Sequence, residues 1–127
     1  MSSITSKQNR ARTERERGWI IFLLYHARPR SLEFAQLRRL LDQHNIPLSS
    51  RRLAEYISYL CELRLIKVEL EDGRAPADDR EQERAIQRYA ESDIEGFNEH
   101  LSLRLSAAGV NFQEGVGIAP DGISRVE

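Results

Sequence analysis

Residues 48–70 read LSSRRLAEYISYLCELRLIKVEL, a stretch that changes its apolar period from helical to alternating partway through. At about 100° per residue, Leu53, Ile57, Leu60 and Cys61 share one stripe of a helix, with Arg51, Arg52, Glu55, Ser58, Tyr59 and Glu62 on the opposite side. Either Ser49 or Ser50 can cap the first turn by accepting a backbone N–H bond. Ile66, Val68 and Leu70 then alternate with Lys67 and Glu69, which is the pattern of a half-buried strand. Such a strand needs a partner, and HLSLRL at 100–105 supplies one, with Leu101, Leu103 and Leu105 alternating in the same way. The pair predicts an antiparallel hairpin.

Upstream, SLEFAQLRRLLDQHN (31–45) places Leu37, Leu40 and Leu41 on one narrow stripe, with Phe34 a turn earlier, and predicts a second amphipathic helix. Before it, TERERGWIIFLLYHA (13–27) predicts a long first helix closed by Pro29, which cannot donate a backbone hydrogen bond. Trp19 to Tyr25 is an unbroken apolar run; a buried strand is the alternative reading, and the flanking TERER favours helix. Seven consecutive apolar residues cover every face of a helix. Either other elements of the domain enclose them or a second subunit does. In so small a domain the second is expected, giving a homodimer through Trp19, Ile20, Phe22, Leu23 and Tyr25.

Residues 1–12 are polar and basic with one bulky side chain, Ile4, so a disordered basic arm is expected there. The domain proper is expected to span 13–115. Between the two strands lies a long excursion, about 71–99, with ten acidic and four basic residues. Inside it DDREQERAIQRYAES (78–92) suggests an exposed helix docked by Ile86, Tyr89 and Ala90. After the second strand, SAAGVNFQEG (106–115) reads as a short helix capped by Ser106 and ended by Gly115. Residues 116–127 have no periodicity and several turn formers, so a flexible tail is expected.

The fold class is therefore mainly α with a small β-hairpin. Helix, helix, helix, strand, strand is the order of a winged helix-turn-helix, here with a long first helix, an extended acidic wing and a short C-terminal helix. SLEFAQLRRLL, the 48–70 stretch and LSLRLSAAGVNFQEG together resemble the uncharacterised winged-helix proteins of Mu-like phages and prophages. The shared features are a Ser-Leu before helix 2 (Ser31, Leu32), a serine start to helix 3 (Ser49, Ser50), a strand entry at Leu60, Leu65 and Ile66, and a helix start at Leu105, Ser106 and Gly109. The resemblance covers roughly residues 14–70 and 98–115. Three positions depart from it: Arg64 stands where a glycine is usual, Glu33 where a stronger helix cap is usual, and the wing is acidic.

What the resemblance implies is duplex DNA binding through helix 3, with transcription regulation as its setting. Arg51 and Arg52 occupy the first turn, where a recognition helix meets bases, and arginine can bond guanine with two parallel hydrogen bonds. Arg38 and Arg39 on helix 2 and the Ser49 and Ser50 hydroxyls are candidates for phosphate, and Tyr59 for sugar or phosphate. Glu55 shares the same face and, with Glu62, argues for an ordinary solvated surface instead. Charge divides the chain: residues 1–64 carry 12 basic and 6 acidic side chains, residues 65–127 carry 7 and 14. Any nucleic-acid role therefore falls to the first half. The rival class is a protein-interaction module that has kept the fold and lost DNA, using the acidic wing and tail.

Enzymatic readings find little support. His26, His44 and His100 are far apart and none has a thiol or carboxylate at metal-ligand spacing, so neither a metal nor a cofactor is expected. There is no nucleophile elbow and no glycine-rich phosphate loop. The single cysteine, Cys61, allows no internal disulfide, and with no secretory signal or membrane-length apolar run a cytoplasmic setting is expected, that of the bacterial host for a phage protein.

Overall fold

The computed structural model describes residues 3–70, 72–92 and 100–127, with side chains from residue 6 onward. The elements run α1 (Ser3–Ala27), β1 (Leu32–Glu33), α2 (Phe34–Gln43), α3 (Ser50–Glu62), β2 (Ile66–Glu69), α4 (Asp79–Tyr89), β3 (Ser102–Leu105) and α5 (Ala107–Glu114). Among the described residues, five helices thus accompany a three-stranded antiparallel sheet of order β1-β3-β2. The expected hairpin forms with Ile66 opposite Leu105 and Glu69 opposite Ser102. A third strand joins it, two residues long, pairing Leu32 with Leu103. Two residues are too few to show a period, which is why the sequence did not announce it.

Local chemistry sets the helix limits. The Ser49 hydroxyl accepts the Arg52 N–H at 3.1 Å and starts α3. Ser106 does the same for Gly109 at 3.1 Å, and left-handed Gly115 ends α5. Glu33 at the start of α2 donates its own N–H to the Gln36 side chain at 2.9 Å, half of a capping box. Arg64, between α3 and β2, has φ 62°, a conformation that favours glycine.

The core is continuous. Leu37 and Leu41 of α2, Leu53, Ile57 and Leu60 of α3, and Leu103 of β3 are completely enclosed, and Ile20 and Ile21 of α1 with them. Each such side chain is worth about 1.5–3 kcal/mol of transfer free energy. α1 packs against α2, β3 and α5, and Ile20, Ile21, Leu23 and Leu24 of its apolar run are buried within its own chain. This corrects the expectation of a dimer surface at Ile20 and Leu23, both of which are core residues. Trp19, Phe22 and Tyr25 stay partly exposed.

Two segments expected to be unstructured are not. The helix begins at Ser3 and takes in residues 3–12 of the expected arm, Met1 and Ser2 lying outside the described residues. The tail expected to be flexible crosses α1 instead: the Ser124 N–H bonds the Glu14 carbonyl at 3.0 Å, Ile123 is buried, and Gln113 holds the Val126 carbonyl at 2.7 Å. Within the acidic excursion, α4 forms with Ala85, Ile86 and Tyr89 buried, the Tyr89 ring 4.8 Å from that of Phe34. Glu71 and residues 93–99 of that excursion lie outside the described residues.

Gly18 is where the tail needs a missing side chain, because a Cβ there would overlap the backbone carbonyl of Ser124. Gly18→Ala should therefore lift the tail while leaving the helix intact or improved. Amide exchange at Ser124 is expected to quicken roughly tenfold or more, about 1.4 kcal/mol of lost protection, with unchanged helical circular dichroism.

Candidate interaction face of helix α3

The face of α3 opposite its buried stripe is where the sequence placed the readers. Their first-turn geometry is set by the cap: Ser49 is spent on the Arg52 N–H. Ser50 is 0% exposed. Its hydroxyl oxygen accepts from Arg38 at 2.9 Å and from the Ser92 hydroxyl at 2.9 Å. Arg38 also donates to the Leu48 carbonyl at 2.8 Å, so this arginine fastens α2 to the start of α3. Ser50 is thus buried, and Arg38, half-buried, is engaged by bonds within the chain.

One flank of α3 is closed by α4. Arg51 pairs with Glu91 at 2.6 Å, and the Ser58 hydroxyl reaches both oxygens of Glu83 at 2.8 and 2.7 Å. Arg64, just past the helix, sits 3.4 Å from Asp79. These pairs are exposed and individually worth about 0–1 kcal/mol. What holds α4 is the apolar seat beneath them, including fully buried Ile86. Burial pushes the Cys61 thiol up to about 12, with Glu83 adding to the effect, so it carries no thiolate at neutral pH.

The other flank is closed by α1 and the tail. Glu16 is only 4% exposed and collects three donors: Tyr56 Oη at 2.5 Å, Arg52 Nε at 3.2 Å and Arg12 Nε at 3.2 Å. Burial pushes the Glu16 pKa up, but the bonds from Tyr56, Arg12 and Arg52 outweigh it and leave the carboxyl below its ordinary 4.5. The Tyr56 phenol is raised by burial and by its bond to Glu16. Above this cluster the Arg17 guanidinium lies 3.8 Å from the Tyr59 ring centroid and donates to the Gly122 carbonyl at 3.1 Å. Tyr59 in turn donates to the Asp121 carbonyl at 3.3 Å.

The sequence-named set thus divides. Arg52 and Tyr59 join the Glu16 and tail network, Arg38 and Ser50 hold each other, Ser49 caps, and Arg51 is paired with Glu91. Glu55 and Arg39 are exposed, as is Glu62. What α3 offers to solvent is a narrow strip holding Glu55 and Glu62 beside two bridged arginines, Arg51 and the 37% exposed Arg52. Glu16, Arg17, Tyr56, Glu83 and Glu91 were not singled out from sequence. Only the four-residue spacing of Arg12 to Glu16 and of Arg52 to Tyr56 gave a local signal.

The histidines are dispersed: His44 lies 4.8 Å from the Trp19 ring, His26 4.4 Å from Phe22, and His100 Nδ1 3.6 Å from Glu33. Among the described residues no group of three or more His, Cys, Asp or Glu could hold a metal ion, and no helix is long and apolar enough to cross a membrane. In comparisons with family models, curated proteins and solved structures, nothing matches the chain.

Because the folded Glu16 carboxyl binds its proton more weakly than the unfolded one, its contribution is complete above about pH 4.5 and is lost as the pH falls through the lowered folded value. Glu16→Gln should cost about 1–3 kcal/mol at neutral pH by breaking charge-assisted bonds to Arg52 and Arg12. Thermal melts from pH 7 to pH 3 should show the variant and wild type converging on the acid side. Parallel curves would refute this role for Glu16.

Proposed function

We propose that this chain is a non-enzymatic protein-interaction module on a winged-helix frame, in which the third helix has become part of the core and no longer reads DNA. The element order of three helices, a strand, an inserted helix and a returning strand supports the frame. The phage and prophage setting rests on the sequence resemblance alone. The observation that carries the reading is the closure of α3 on both flanks, by α4 and by the tail. A phosphate backbone approaching the remaining strip would meet Glu55, Glu62 and the Glu91 carboxylate already holding Arg51. Freeing Arg51 is cheap, but freeing Arg52 strips a buried carboxylate of a partner, which is expensive.

The same tail that closes α3 presents an apolar tip. Ile118 is 100% exposed and Val116 58%. They sit between left-handed Gly115 and Gly122, whose carbonyl is held by Arg17. A loop fixed at both ends loses little freedom on binding, and an aliphatic tip needs an apolar pocket in a partner protein.

Two measurements test this reading. In an NMR titration with duplex DNA at low salt, the amides of residues 50–62 should stay in place and Arg51→Ala should not change affinity. Movement of Arg51, Glu55 and Tyr59, or weaker binding by Arg51→Ala, would restore α3 as a reader. A protein retained on the immobilised chain from the cells that make it should be lost with Val116→Ser plus Ile118→Ser, at unchanged melting temperature. Retention by that variant would remove the loop from the interface.

A further inference from the structure

The first turns of α1 are unlike the rest of the molecule. Residues 6–12 are exposed on every side, and they are helical. From Ser6 to Thr13 the chain carries Lys7, Arg10 and Arg12 and no carboxylate, with Arg15 following. Lys7, Arg10 and Arg15 make no hydrogen bond or ion pair among the described residues, whereas Arg12, 56% exposed, touches Glu16. Of the carboxylates nearby, Glu16 is enclosed with its three donors, and Glu14 is half-buried on the Lys7 and Arg10 side, where Ser124 crosses the helix, so the net charge of residues 6–15 stays positive.

At about 100° per residue, Lys7 and Arg10 fall on one side of the helix and Arg12 and Arg15 on the other, with Ala11 between them. Two cationic edges separated by a small residue fit a helix lying between two phosphate backbones, in a groove about 12 Å wide that admits a bare α-helix. An acidic protein partner fits less well, because residues 6–13 offer no apolar side chain larger than Ala11 from which to build an interface core. Single-stranded nucleic acid fits less well too, since this segment has no aromatic side chain on which bases could stack. We infer that residues 6–15 of α1 form a duplex nucleic-acid binding helix, reading shape and phosphate charge, on a part of the chain distinct from α3.

This goes beyond the proposed module and stands or falls separately from it. The test uses the full chain with a labelled duplex of random sequence at several salt concentrations. Neutralising about three or four phosphates predicts a slope of log affinity on log salt of about −3 to −4. The variant Lys7→Ala, Arg10→Ala, Arg15→Ala keeps the helix, alanine being the best helix former, which circular dichroism checks. It should bind at least about tenfold more weakly at low salt and lower the slope by about 3. Duplex should also bind more tightly than a single strand of the same length or polyglutamate of the same charge. No binding by the wild type at low salt, equal binding by the variant, or equal competition by polyglutamate would each overturn the inference.

Discussion

The carboxylate of Glu16 is the point at which the first and third helices are locked together. It sits in the wall between α1 and α3, and a carboxylate taken out of water survives there only because Tyr56, Arg52 and Arg12 donate to it. That requirement fixes where Arg52 points, and so turns one of the two first-turn arginines of α3 toward α1. It also sets the floor on which Arg17 lies, between Tyr56 and Tyr59, at 5.6 and 3.8 Å from their ring centroids. Arg17 then holds the tail. One buried charge therefore organises helix, helix and tail in sequence.

The opposite flank is built on different physics. α4 is strongly polar along most of its surface, and its attachment depends on Ala85, Ile86 and Tyr89 entering the core beside Phe34. The ion pairs over that seam, Arg51 with Glu91 and Arg64 with Asp79, lie in water and act on register more than on stability. They nevertheless have an electrostatic effect out of proportion to their energy, since they spend the exposed cation of α3 on a carboxylate from the acidic half of the chain. The division of charge along the sequence becomes, in three dimensions, a neutralised seam.

The sequence made some of this legible and hid the rest for identifiable reasons. The stripe Leu53, Ile57, Leu60 and Cys61, the Ser49 and Ser106 caps and the alternation of β2 and β3 are local patterns, and the structure has all of them. Residues 6–12 show no apolar stripe, so nothing in their pattern separates helix from coil; their helicity extends from the anchored second half of α1, where nucleation has already been met. The tail is held by side chains from Arg17 and Tyr59 to its carbonyls, and such bonds leave no period in the tail itself. The helical projection found the outer face of α3 correctly but could not say what lay over it. Arg52 and Glu16 are 36 positions apart, and Arg51 and Glu91 are 40 apart, so neither pairing could be read from neighbours in the chain.

Glu69 and Ser102 face each other as the last register pair of β2 and β3. The acidic excursion therefore leaves the sheet and returns to it on the same rung. Topologically it is an insertion into a hairpin turn, and the sheet would close as well over a connection of two residues as over the present one. The strands place no limit on the length or content of this segment; the limit comes from the third helix, whose flank α4 must fit. The segment can thus be shortened or exchanged without touching the sheet, and each exchange would change which face of the third helix the outside world can reach.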